Sequence, residues 1–115
     1  FEPNFRWTKP VVSIANEGNY SDGHCYAYMI KDQKIGKLVG APVPGTCTFA
    51  AWASLMDTGI RWGAPTVGVQ GNNGKYLENW QTEPDVLVLN SPEQVKKGVD
   101  QQLEAAVKTI LQEIK

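Results

Sequence analysis

Few side chains in this sequence are able to do covalent chemistry, and Ser21 stands in the most telling place. Val11, Val12 and Ile14 form a β-branched run suited to a buried strand. Gly18, Asn19 and Gly23 follow, residues that tolerate the positive φ of a sharp turn. Beyond them Cys25, Tyr28 and Met29 recur at helical spacing. Ser21 therefore falls where a strand hands over to a helix. A hydroxyl held there meets water on a rigid support, beside the free N–H groups of a helix N-terminus. Such N–H groups are what an oxyanion needs. Asn19-Tyr20-Ser21-Asp22-Gly23 departs from the G-x-S-x-G nucleophile elbow only in its first residue. A serine that merely caps the helix fits the same residues, and the five alone favour that simpler role.

A serine hydroxyl is a poor nucleophile until a neighbouring base accepts its proton. The single histidine, His24, lies three residues after Ser21, in the first turn of the expected helix. An imidazole there is expected to face solvent or serve the helix end, not to act as the base. Glu78 is a candidate carboxylate at a strand end; its simpler reading is an exposed acid, free or paired with Lys75. Asp22 has two candidate tasks, a side-chain cap for the helix and a main-chain N–H directed at an oxyanion. Cys25 and Cys47 are too few for a disulfide scaffold and are expected as buried free thiols, although pairing stays open. One histidine and two unclustered cysteines make a metal site improbable.

Composition narrows the rest. The chain has 115 residues, suited to one domain and not two. A net charge of −1 leaves no footprint for nucleic acid or an anionic membrane. No apolar run approaches a membrane span, and no signal peptide is recognised. The sequence opens on Phe1, as a processed product or an excised piece would.

The elements that must position Ser21 and Glu78 read as follows. Residues 1–7 form an opening loop. A strand over 11–15, a helix over 23–33 closed at Gly36, and a strand over 37–41 make a parallel crossover, hence an α/β layer. After the break at Pro42-Val43-Pro44-Gly45-Thr46, residues 47–56 and 60–70 form an antiparallel hairpin around Asp57-Thr58-Gly59. Asn73-Gly74 marks a second tight turn, with Tyr76 and Leu77 pairing back. Residues 86–89 form another strand, with Asp85 before it as a turn residue. Ser91-Pro92-Glu93 opens a short helix that Gly98 closes. Asp100 caps the last helix, whose stripe of Leu103, Ala106, Val107, Ile110, Leu111 and Ile114 is expected to face the sheet or a partner. Trp7, Trp52 and Trp62 are expected in the core. Trp80, flanking Glu78, is the expected exception.

Several landmarks recur in an order that resembles a known family. They are Asn16-Glu17 before Tyr20-Ser21-Asp22-Gly23, then Gly36-Lys37-Leu38-Val39-Gly40 before Pro44-Gly45-Thr46. Tyr76-Leu77-Glu78-Asn79, Glu83-Pro84-Asp85 and Gly98-Val99-Asp100-Gln101-Gln102-Leu103 follow. The chain resembles the C-terminal part of the catalytic domain in the tricorn-type branch of the C-terminal processing (tail-specific) serine peptidases. The resemblance implies an α/β fold of crotonase/Clp-protease-like β-β-α units, present in part, with a C-terminal amphipathic helix. It implies Ser21 as nucleophile, the Asp22 N–H as one oxyanion donor with an earlier glycine N–H as the other, and Glu78 in the charge relay. The general-base histidine, and a serine that helps it, would come from an upstream segment. The family's lysine-dependent branch places its base where Val43-Pro44-Gly45-Thr46-Cys47-Thr48 holds no lysine.

The resulting expectation is a serine endopeptidase segment that acts on peptides or unfolded protein through an acyl-enzyme. It would need no cofactor, pair with the upstream part of its own polypeptide, and be inactive alone. Assembly into homo-oligomers and a periplasmic or cytoplasmic bacterial home are implied only by the resemblance. Alternatives are a non-catalytic peptide-binding or assembly module with the same fold, or an esterase, which lacks the expected terminal histidine.

Overall fold

The computed structural model describes residues 7–56 and 59–114. Most of the opening loop and the expected hairpin turn at Asp57-Thr58 lie outside them. The strand–helix–strand crossover forms as expected: β1 (Val12–Ala15), α1 (Asp22–Asp32) and β2 (Lys37–Gly40). β1 and β2 pair in parallel, with Val12 opposite Lys37 and Ala15 opposite Gly40. The hairpin strands follow as β3 (Thr48–Ser54) and β4 (Arg61–Gly68), and β5 (Val86–Leu87) then adds in parallel to the far side of β2. The sheet order is thus β1-β2-β5.

Residues in register share a face of a parallel sheet, so Ser13 and Ala15 lie with Leu38. Ala27 from α1 and Val43 from the loop close over that face to form the buried cluster with Ala15 and Leu38. Ser13 Oγ lies 2.7 Å from the Tyr26 hydroxyl, which ties β1 to α1 through a satisfied polar pair. Asp85 does more than turn the chain. Its N–H donates to the Leu38 carbonyl, its carboxylate accepts from the Leu38 N–H, and it pairs with Lys31 at 3.1 Å.

Gly36 does not close α1. Gln33 is the cap, Lys34 takes the left-handed turn at φ 52, and the Ile35 N–H returns to the Ile30 carbonyl. Gly36 instead permits a close backbone crossing, since a Cβ there would lie 2.1 Å from the Val11 carbonyl oxygen.

The C-terminal elements start where the sequence places them. Ser91 caps α2 (Pro92–Val95) by accepting from the Gln94 N–H, and Gly98 turns the chain at φ 77. Asp100 caps α3 (Gln101–Glu113) by accepting from the Leu103 N–H at 3.0 Å. Of the expected stripe, only Ala106 and half-buried Ile110 face inward; the rest of it is exposed. Gln102, Ala106 and Thr109 are buried, whereas Leu103 and Leu111 are each 51% exposed. Hydrogen bonds at the helix start set this rotation: the Gln102 side chain donates to the Val88 carbonyl and its N–H to the Asn90 side chain. Thr109 satisfies its hydroxyl on the Ala105 carbonyl. We therefore expect Ala106→Leu, which crowds the packed face, to cost about 1–3 kcal/mol. Leu103→Ala should cost about 1 kcal/mol or less, because half its surface already meets water. Thermal unfolding of the two variants checks the order.

β3 and β4 form the expected antiparallel hairpin, with a bulge between Phe49 and Ala50. Nearly every residue of it is exposed, Trp52 and Trp62 included. Trp7 and Trp80 are also exposed. The expected core packing of Trp7, Trp52 and Trp62 is thus overturned, because they sit on elements that do not lie over the sheet. The hairpin's projection agrees with a radius of gyration of 17.4 Å, against roughly 13 Å for a compact chain of this length. The Asn73-Gly74 turn closes a short antiparallel bridge between Gln70 and Tyr76.

Candidate active site

Ser21 sits between β1 and α1 with φ 53 and ψ −113, a conformation a non-glycine residue holds only when its surroundings enforce it. The preceding loop supplies part of that enforcement. The Asn16 N–H donates to the Asn19 side chain, while the Gly18 N–H donates to the Asn16 side chain, each at 2.9 Å. Ser21 occupies the N-cap position, yet its hydroxyl accepts no hydrogen bond from the helix. The capping role that five residues alone favoured is therefore not what the side chain does.

The Asp22 carboxylate does not cap the helix either. Its N–H, the first of α1, meets no acceptor among the described residues. This is the orphan donor a helix N-terminus provides.

Glu78 reaches the same place from a distant segment. A groove of about 420 Å³ is lined by Ser21, Asp22 and Glu78 together with Tyr20, Thr46, Phe49, Trp52 and Pro65. Glu78 is brought there by backbone contact. The Asn79 N–H donates to the Gly45 carbonyl at 2.8 Å, and a Cβ on Gly45 would lie 2.3 Å from the Trp80 nitrogen. Only glycine allows that approach. The ordinary pairing of Glu78 with Lys75 does not occur: the Lys75 ammonium lies 4.9 Å from the centre of the Trp80 ring.

His24 is not turned to solvent. It is fully buried, and its Nδ1 accepts from the backbone N–H groups of Thr46 (3.1 Å) and Cys47 (2.9 Å). Nδ1 therefore carries no proton, and Nε2–H donates to the Thr82 hydroxyl at 2.9 Å. Burial pushes the imidazole pKa below its usual 6.5. Both ring nitrogens are engaged, so neither is free to take a proton from Ser21. Its expected exposure to solvent is thus overturned.

The thiols are also not free. Cys25 and Cys47 form a disulfide, against the expectation of buried free thiols. Thr46, which sequence reasoning passed over except as a landmark, accepts the Ser21 N–H on its Oγ1 at 2.9 Å. No local pattern marks it, because the contact spans 25 positions. Among the described residues no three His, Cys, Asp or Glu side chains cluster as a metal site would require, and no helix is long and apolar enough to cross a membrane.

The chain is similar in sequence and fold to several known proteins, tricorn proteases among them. The chain is 28% identical to the tricorn protease of Thermoplasma volcanium, over 91% of this chain and 10% of that protein. It is 26% identical to a tricorn protease homolog of Saccharolobus solfataricus, over 97% of this chain and 11% of that protein. Among solved structures, the tricorn protease superposes with a TM-score of 0.78 at 24% identity, covering 90% of this chain and 10% of that one. Mature CPAF superposes at 0.76 and 20% identity, covering 94% of this chain and 20% of that one. The structural likenesses establish the α/β fold, and the chain spans about a tenth of the curated relatives' length. The profile of peptidase family S41 matches residues 2–88, three quarters of the sequence, and the chain belongs to that family.

Proposed function

We propose that residues 1–115 are one domain, the C-terminal portion of a serine endopeptidase catalytic domain. Ser21 attacks the peptide carbonyl, the Asp22 N–H donates to the developing oxyanion, and Glu78 orients and stabilises the charged base. The observation that carries this reading is the strained Ser21 elbow opening onto the groove that Glu78 also lines. The base is a histidine from an upstream part of the same polypeptide, since His24 spends both its nitrogens on structure. Peptides or unfolded protein chains are the substrates, cleaved through an acyl-enzyme that water then resolves. Assembly into homo-oligomers would accord with the apolar residues exposed on β3, β4 and α3.

A fluorophosphonate serine probe tests the reading. Full-length protein is expected to label at Ser21, whereas the isolated 115-residue chain labels hardly at all. Fast labelling of the isolated chain would show that no outside base is needed. The non-catalytic module reading gains ground if neither form labels.

A further inference from the structure

Two adjacent residues of α1 grip two adjacent residues of the loop beside Ser21. His24 Nδ1 accepts the N–H groups of Thr46 and Cys47, and Cys25 is bonded to Cys47. Thr46 then reaches back, its Oγ1 accepting the N–H of Ser21 at 2.9 Å. That bond ends on the residue whose φ of 53 needs external support. Without it, the Ser21 N–H would be an orphan at a helix start.

We propose that Thr46 is a positioning residue for Ser21, fixed by His24 and the Cys25–Cys47 bond, so that reducing this disulfide loosens the elbow and slows acylation. The inference rests on Ser21 being the nucleophile. A dithiol supplies the two electrons and two protons: the Cys25–Cys47 bond breaks, two thiols form, and the dithiol closes its own disulfide. Cys25 is partly exposed while Cys47 is buried. A cavity of about 160 Å³ lined by both cysteines, Met29 and Leu77 adjoins the bond. The incoming thiolate therefore meets Cys25 first.

The test uses full-length protein, the fluorophosphonate probe, a peptide substrate and amide hydrogen exchange. Thr46→Val is expected to lower labelling rate and kcat by at least about tenfold with KM nearly unchanged. Thr46→Ser, which keeps the hydroxyl, should restore most of the loss. Dithiothreitol should produce the same loss in wild type, reversed on reoxidation, and leave the Cys25→Ser/Cys47→Ser variant unaffected. The Ser21 amide should lose exchange protection in Thr46→Val. Wild-type rates in Thr46→Val, equal impairment in Thr46→Ser, or full activity with both thiols proven free would overturn the proposal. Unlabelled wild type would instead defeat the nucleophile reading, and Ser21 exchange would still decide whether Thr46 holds the elbow.

Discussion

Ser21→Ala in the full-length protein is expected to remove peptide turnover almost entirely, a loss on the order of 10⁴–10⁶ in kcat. The substitution deletes one oxygen from a side chain that makes no helix-capping bond. Folding should therefore survive, and the positive φ is no worse for alanine than for serine. Glu78→Gln should cost less, on the order of 10²–10⁴ in kcat, because a carboxamide keeps the shape but not the charge that steadies an imidazolium. The two losses should fall far short of additive, since a nucleophile and its relay act as one unit. Peptide turnover in the single and double variants decides the matter. Retained turnover in Ser21→Ala removes Ser21 from the chemistry. An additive double variant places Glu78 outside the relay.

His24→Leu is the second large effect, and it falls on structure. Leucine leaves the Cys47 N–H without its acceptor and the Thr82 hydroxyl without its donor, while the Thr46 N–H keeps the Pro44 carbonyl at 2.8 Å. Each of the two buried orphans costs about 1–3 kcal/mol, so a total of about 2–4 kcal/mol is expected. Amide exchange at Cys47 should report it as lost protection; unchanged protection there would mean the imidazole is dispensable. The same site gives the fold a pH dependence. Because burial lowers the folded pKa of His24 below 6.5, the unfolded chain binds more protons between the two values. Stability from neutral His24 is thus fully present above about pH 6.5 and is lost as pH falls through the lower, folded value. His24→Leu should erase this component of the pH profile of unfolding while carboxylate components persist. A wild-type profile flat from pH 7 down to 5 would contradict it.

The groove beside Ser21 carries an apolar wall that composition did not announce. Trp52 lies there half exposed, with the Arg61 guanidinium 5.0 Å from its ring centre and Gly63 beneath it. A Cβ at Gly63 would come within 2.9 Å of the indole, so glycine lets the ring lie flat across the strand pair. Trp52 was expected in the core because aromatic side chains usually dominate one. Here the core is made of small and branched residues under α1, and Trp52 and Trp62 are left exposed on the hairpin.

What the sequence determined by itself was whatever neighbours in the chain decide. Asp100 and Ser91 cap their helices as their positions predicted, Asn73-Gly74 turns, and the β1–α1–β2 crossover is parallel. Ser21 stands at the predicted bend, since flanking β-branched and glycine residues dictate local backbone geometry. Its company came only from tertiary structure. Glu78 joins the groove through a backbone crossing at Gly45, and His24 finds Thr82 across 58 positions. Cys25 meets Cys47, and α3 turns its smaller, more polar face inward because bonds from Val88 and Asn90 fix its rotation. Contacts of that kind depend on where separate elements pack, and no periodicity in one stretch of sequence encodes them.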